Sequence, residues 1–279
     1  MEFLDKENEM EAGLAFSRQS VVFDDYDAGN TIIQYKRRRV REHVLRHISA
    51  SGSILELNSG TGVDASFFAG LGYRVHATDI AEGMQQQLKE KVLRLGLSDR
   101  VTAELCSFNA LGGLEQKGPY DCIFSNFAGL NCTNRLDEVL RSFAPLVNPG
   151  GLVTLVILPS FSLWETLLVF KGKFRTAFRR LLSFRGATSH VEGVYFKCWY
   201  YSPSYVIRHL APEFDLVDLE GLCTIVPPSY IEHFAEKRPA LYKWLQRWED
   251  RLKSRRPWRS IGDYYIISFR KRPSGLRAV

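Results

Sequence analysis

Between residues 53 and 158 short apolar runs of strand length alternate with segments whose apolar residues recur at helical spacing. The strand-like runs are "ILEL" (54–57), "RVHATDI" (74–80), "VTAELC" (101–106), "YDCIFSNF" (120–127) and "LVTLVIL" (152–158). Between them lie helical stretches from Asp64 to Leu71, from Glu82 to Leu95, and through "NRLDEVLRSFAPLV", which places Leu136, Val139, Leu140 and Phe143 on one face. Asn148-Pro149-Gly150-Gly151 ends the last of these. Such alternation predicts an α/β fold with a doubly wound, Rossmann-like parallel sheet. The almost wholly apolar "LVTLVIL" fits a strand covered on both faces. In sheets of this kind ligands bind outside the carboxyl ends of the strands.

One strand end is unusual. In "ILELNSGTGVDASFFA" the acid Glu56 sits among aliphatics, and the strand opens into Asn58-Ser59-Gly60-Thr61-Gly62. Gly60 and Gly62 let the backbone turn and approach a ligand without a Cβ in the way. Asn58 stands at a position where a left-handed backbone is tolerated by Asn better than by most residues. The next helix offers free N–H groups to an anionic group. Asp79 ends the second strand, where an acid can accept hydrogen bonds from both hydroxyls of a ribose, and Ile80 beside it can cover a purine face. A dinucleotide site expects G-x-G-x-x-G. Here Val63, Asp64 and Ala65 follow the second glycine, so the third is missing. An acid before the loop also suits a cationic sulfonium and ammonium better than a pyrophosphate.

With these residues in place, the chain resembles the class I S-adenosylmethionine-dependent methyltransferases over residues 20 to 158 and the segments near 214–226 and 262–270. "LELNSGTG" is similar to that family's first motif, with Asn58 in place of a glycine, and "ATDIAEGM" to its second. "YDCIFSNFAGLNC" and "LVNPGGLVTLVIL" resemble the fourth and fifth, and "FDDYDAGN" the lid of small-molecule members. The resemblance implies a seven-stranded sheet, mostly parallel, with an antiparallel strand near the C-terminus. It implies S-adenosyl-L-methionine as cofactor, bound by Tyr26, Arg37, Glu56, Asn58, Gly60, Gly62, Asp79, Ile80, Met84, Ser107, Phe108 and Asn126. Tyr26 would lie over the cofactor, Arg37 near its carboxylate and Met84 near the adenine. In "ELCSFNAL" Ser107 and Phe108 occupy the segment where the family commonly places an acid on the adenine amino group.

The rest of the chain divides as a helical lid segment over 1–50, the cofactor-binding core over 51–158, a cap insertion over 159–205, and completion of the sheet over 206–279 with a helical excursion at 227–258. The run "TIIQYKRRRVREHVLRHI" reads as a helix with a basic outer face. In the insertion, Trp164, Leu167, Leu168, Phe174, Ala177, Phe178 and Leu181 recur at helical spacing, interrupted by Lys171, Lys173, Arg175, Arg179 and Arg180. This pattern suits a cap burying its stripe over the site better than a helix on a membrane surface, so membrane contact is expected to be weak and peripheral. Tyr195, Trp199, Tyr200 and Tyr201 line a pocket or pack a hairpin, and His190 among them is the candidate proton acceptor. Near the C-terminus Leu241, Trp244, Leu245, Trp248 and Leu252 form another stripe.

Charge is uneven. Residues 1–150 carry 16 Lys+Arg and 20 Asp+Glu (16 − 20 = −4), and residues 151–279 carry 21 and 11 (21 − 11 = +10). A basic half admits an anionic acceptor, a membrane surface or nucleic acid. The fourth strand ends in Ser125-Asn126-Phe127-Ala128, unlike the N/D-P-P-Y/F of enzymes that flip an amino base. Five scattered cysteines, none in a C-x-x-C pair, and an N-terminus without an apolar signal region point to reduced thiols in a cytoplasm and to no metal site. The expected function is methyl transfer from S-adenosylmethionine to a small-molecule or lipid-like acceptor. The alternatives are a nucleic-acid methyltransferase and a non-catalytic protein that binds the same cofactor.

Overall fold

The computed structural model describes residues 2–172, 174, 178–180, 185–231 and 233–273. The chain begins with two helices, α1 (Glu2–Gly29) and α2 (Thr31–His47). Then come β1 (Ser53–Leu57), α3 (Val63–Gly70), β2 (Arg74–Asp79), α4 (Glu82–Arg94), β3 (Val101–Leu105), β4 (Tyr120–Ser125), α5 (Leu136–Arg141) and β5 (Val147–Ile157). After the short α6 (Leu163–Leu167) a hairpin forms from β6 (Ala187–Val191) and β7 (Val194–Cys198). The chain closes with α7 (Pro203–Leu210), β8 (Phe214–Leu222), α8 (Phe234–Lys237), α9 (Pro239–Leu252) and β9 (Tyr264–Lys271).

Seven strands make one sheet in the order β3-β2-β1-β4-β5-β9-β8. The first five pair in parallel, and β9 runs antiparallel to both neighbours. The order reverses between β1 and β4, which places the crevice for a ligand at their carboxyl ends. Alternation along β1 explains the two cores. Leu55 and Leu57 join Ile123, Leu155 and Phe143 on one face, while Ile54 joins Phe68, Phe124 and Val156 on the other. Glu56 shares the Ile54 face, under α2 and α3.

Helix α2 starts where Asn30 accepts hydrogen bonds from the N–H groups of Ile32 and Ile33. Its basic run is not an outer face. Arg38 is exposed, but Lys36, Arg37 and Arg39 are buried. Each has an acid to meet: Asp263 for Lys36, Asp27 and Asp64 for Arg37, Glu220 for Arg39. Charges enter an interior on such terms.

The insertion also departs from expectation. Lys173, Arg175, Ala177 and Leu181 lie outside the described residues. Of the stripe expected to be buried, Leu167, Phe174 and Phe178 are exposed, as is Phe170 at 86%. A polar contact is buried here instead: Arg180 meets Glu165 (2.8 Å) and Asp263 (3.0 Å). The roof over the strand ends is α1, which packs on α4 and on the β6–β7 hairpin.

Candidate active site

The loop after β1 is shaped by its neighbours. Asn58 has φ 46°, donates from Nδ2 to the Asn126 carbonyl (2.8 Å) and accepts from the Ser125 hydroxyl (2.7 Å). Its side chain therefore locks β1 to β4, a task a glycine could not perform. Gly60 has φ 56°, and a Cβ there would meet nothing nearer than the Met84 sulfur at 4.0 Å, so its open side faces the cavity described below. Gly62 serves packing: a Cβ would fall 2.6 Å from Leu88 Cγ.

Asp79 is fixed by two backbone donors, Gly60 N–H to Oδ2 (2.8 Å) and Ala81 N–H to Oδ1 (2.9 Å). Burial pushes its carboxyl above the usual range, against the pull of the Ala81, Gly60 and Ile80 N–H groups. Glu56 is buried, and its Oε2 has no hydrogen-bond partner. Burial first, then the like charge of Asp64, raises it well above the carboxylate range, against Arg37 and Arg41. Those guanidiniums direct their bonds to Asp64 and Asp27, and despite burial they hold Asp64 low.

A cavity of ≈ 120 Å³ lies at these strand ends. Of the residues singled out in the sequence, Asn58, Gly60, Asp79, Ile80, Met84, Phe108 and Asn126 line it. Ser107 does not, but its hydroxyl donates to Glu9, which does. Arg37 stacks under Phe127, 4.7 Å from the ring centre, and Phe127 lines the cavity. Phe127 and Ala128 have φ 49° and 62°, two successive left-handed residues that turn the chain sharply beside the cavity. Glu56 and Gly62 are not among the lining residues, and the structure does not bring Tyr26 or His190 to the cavity. Tyr26 is 52% exposed and lines a separate hollow with His233 and Glu236. His190 lies on the exposed side of the hairpin, stacked on Tyr195 at 4.4 Å.

The sequence reading missed the contribution of α1. Glu9, Ala12, Phe16 and Phe23 line the cavity from above. Their spacing, i, i+3, i+7 and i+14, is that of one helix face, and it was the available signal. Glu9 reaches the segment after β3, where Ser107 and Asn109 (3.0 Å) donate to its Oε1. A carboxylate thus stands where the loop itself has none. Close approach holds α1 in place: a Cβ at Gly83 would meet the Ser17 carbonyl at 2.5 Å. Asn8 bridges the Cys132 carbonyl (2.9 Å) and the Lys197 backbone.

The residues fit S-adenosylmethionine. The half-buried Asp79 and the buried Glu56, neither in an ion pair among the described residues, with an open glycine and an apolar slot, match a cationic nucleoside better than a diphosphate. Residues 54–151 match the family model described as "Methyltransferase domain". No curated protein sequence matches the chain. Among solved structures, the CcbJ methyltransferase from Streptomyces caelestis superposes with TM-score 0.60 at 18% identity, covering 93% of this chain and 99% of that one. The 1,6-didemethyltoxoflavin-N1-methyltransferase of Burkholderia thailandensis, with 1,6-didemethyltoxoflavin and S-adenosylhomocysteine bound, gives 0.52 at 16%, covering 92% and 88%. Geranyl diphosphate C-methyltransferase from Streptomyces coelicolor gives 0.55 at 13%, covering 84% and 79%. A structure described as the [4+2]-cyclase SpnF gives 0.53 at 16%, covering 84% and 80%, so likeness of fold alone does not carry the reaction. Residues 54–151 match a methyltransferase-domain model, and the strand order with the solved structures shows the fold of the class I S-adenosylmethionine-dependent methyltransferases around them.

Proposed function

We propose that the chain transfers a methyl group from S-adenosylmethionine to a small-molecule or lipid-like acceptor held between α1 and the end of β4. The observation that carries this reading is the apolar slot at one sheet end that Asp79 and the open Gly60 line together. In this reading Asp79 accepts from the ribose hydroxyls, and Gly60 lets the backbone pass beside the cofactor. Ile80, Met84 and Phe108 enclose the purine, and Glu9 accepts from its amino group. Glu56 balances the ammonium of the methionine part. When bound, S-adenosylmethionine supplies a methyl already activated on a sulfonium centre. The protein's share is to align the acceptor with it and keep water out.

Phe16, Phe127 and Cys132 form the side of the cavity left for the acceptor. No histidine lines it, and its thiols are poor bases at neutral pH because they stay protonated. Burial pushes Cys106 up to about 11, and the hydrogen bond to Cys198 with burial raises Cys132. This favours an acceptor that brings its own lone pair, such as an amine, over an alcohol that must lose a proton. As α1 lies, the ≈ 120 Å³ cavity is smaller than the roughly 300 Å³ at which ligand pockets begin.

The test is turnover. The protein is incubated with methyl-labelled S-adenosylmethionine and separate panels of amines, phenols, thiols and oligonucleotides. The expected result is label on a small molecule with matching release of S-adenosylhomocysteine. Label on the oligonucleotide alone, or cofactor binding with no transfer to any panel, would contradict the proposal.

A further inference from the structure

Helix α9 carries an exposed face that the methyl-transfer reading does not use. The helix is held from one side. Tyr242 packs edge-on against Tyr35 at 6.1 Å. Glu249 is buried and accepts the backbone N–H groups of Thr224 (3.1 Å), Ile225 (2.6 Å) and Val226 (2.9 Å). These anchors fix α9 rigidly to the loop that follows β8.

The opposite side has two parallel ridges. Lys243, Arg247 and Arg251 follow one another at i, i+4 and i+8, all exposed. Beside them run Leu241, Trp244 and Trp248 at i, i+3 and i+7, exposed by 42%, 52% and 37%. The two indoles pack edge to face at 5.9 Å, and the Arg251 guanidinium lies 5.4 Å over the Trp248 ring. Arg255 and Arg256 extend the basic ridge beyond the helix. None of these five bases makes an ion pair among the described residues, while the one acid on this side, Asp250, is engaged by Arg39 at 3.2 Å.

Three apolar side chains and three bases outside any ion pair on one rigid helix, with two more bases just past its end, suit a surface that is anionic outside and apolar beneath. Indoles settle at the level of lipid headgroups, with the ring in the apolar layer and the N–H in the wet one. Arginines and lysines on the adjoining ridge meet the phosphates. A nucleic acid is the poorer match, because base stacking needs a free ring face and that of Trp248 is covered by Arg251. A second copy of the chain would set five bases against five. We propose that this face of α9 docks the protein on an anionic phospholipid bilayer.

The geometry gives docking a direction. β8 runs parallel to β5, since both are antiparallel to β9. Its carboxyl end, and the loop that Glu249 holds, therefore lie on the same side of the sheet as the cavity. The proposal rests on the exposed face and stands whether or not methyl transfer is the reaction.

Cosedimentation of the full chain with vesicles of phosphatidylcholine, and of phosphatidylcholine mixed with phosphatidylglycerol, tests it. The expected result is binding to the anionic vesicles only, weakening as salt rises. Lys243→Glu with Arg247→Glu and Arg251→Glu should lower the partition coefficient by at least about a hundredfold, at about fivefold per base removed. Trp244→Ser with Trp248→Ser should lower it by about tenfold or more, because apolar area no longer leaves water. The charge variant alters solvent-facing side chains and should melt with the wild type, and the indole variant, which also loses the Trp244–Trp248 contact, is compared at a temperature where its circular dichroism matches the wild type. Equal binding to neutral and anionic vesicles would overturn the proposal, as would binding that survives the triple charge reversal. So would an oligonucleotide bound through these residues by a protein that ignores the vesicles.

Discussion

Two buried glutamates on this sheet have opposite surroundings. Glu220 on β8 meets Arg39 (3.1 Å), Lys253 (3.2 Å), His43 (3.4 Å) and Arg46. Although burial raises it, the His43 hydrogen bond, then Arg46 and Lys253, hold its carboxyl far below the usual range. Glu56 on β1 keeps one oxygen with no partner and has Asp64 and Asp79 for neighbours, so its carboxyl is held high. One acid is fully paired within the chain and ties α2 to the far edge of the sheet. The other is left with a deficit at the place where the strand order reverses. A buried charge that the chain satisfies is structural, and one left unsatisfied behind the loop that lines a cavity, as Glu56 lies two residues before Asn58, is the place to test for a ligand.

The largest effect should come from the paired acid. Glu220→Ala removes the partner of a buried guanidinium and should destabilise by about 3–5 kcal/mol in denaturant titrations. Affinity for S-adenosylhomocysteine should not change once the protein is folded. A small stability loss would mean that the cluster is not worth what its geometry suggests.

Asp79→Ala should weaken S-adenosylhomocysteine by about 10- to 100-fold in calorimetry, for loss of charge-assisted hydrogen bonds worth about 1.5–3 kcal/mol. The apo protein should remain folded. Unchanged affinity would remove Asp79 from the site.

The two glutamates should also separate by pH. Glu220 has a depressed folded value, so its stabilisation is present above the unfolded value near ~4.3 and lost as pH falls through the folded one. Glu56 has a raised folded value, so its penalty is absent below ~4.3 and grows as pH rises through the folded one. Melting curves of Glu220→Gln should approach wild type in acid, and those of Glu56→Gln should depart from it toward alkaline pH. The reverse pattern would cancel the contrast. A smaller effect is expected at the lid: Glu9→Gln should cost S-adenosylhomocysteine about fivefold, near 1 kcal/mol for one hydrogen bond to a charged group weakened.

The core of the fold was legible because its signals are local. Strand–helix alternation, the glycines of the first loop and Asp79 at a strand end all follow from residues close together in sequence. The roof was not legible in the same way. Glu9, Phe16 and Phe23 lie on a helix whose acids and apolar residues mix, and their meaning depends on Ser107 and Ile80, far along the chain. Spacing also reported a stripe through Leu167, Phe174 and Phe178 without saying what would cover it, and the structure leaves it exposed. The basic run of α2 misled because two of its acid partners, Asp263 and Glu220, are more than 150 residues away in the chain.

The central claim is that the deficit at Glu56 is held for a cationic ligand. Glu56→Gln tests it most directly when the apo melting temperature and the S-adenosylmethionine affinity are measured on the same preparation near pH 8. The account predicts opposite movements. The apo protein gains about 1 kcal/mol because a poorly satisfied buried charge is gone, and the cofactor binds about five- to tenfold more weakly because its ammonium has lost a counter-charge. A variant that melts lower than wild type and binds S-adenosylmethionine unchanged would contradict the account.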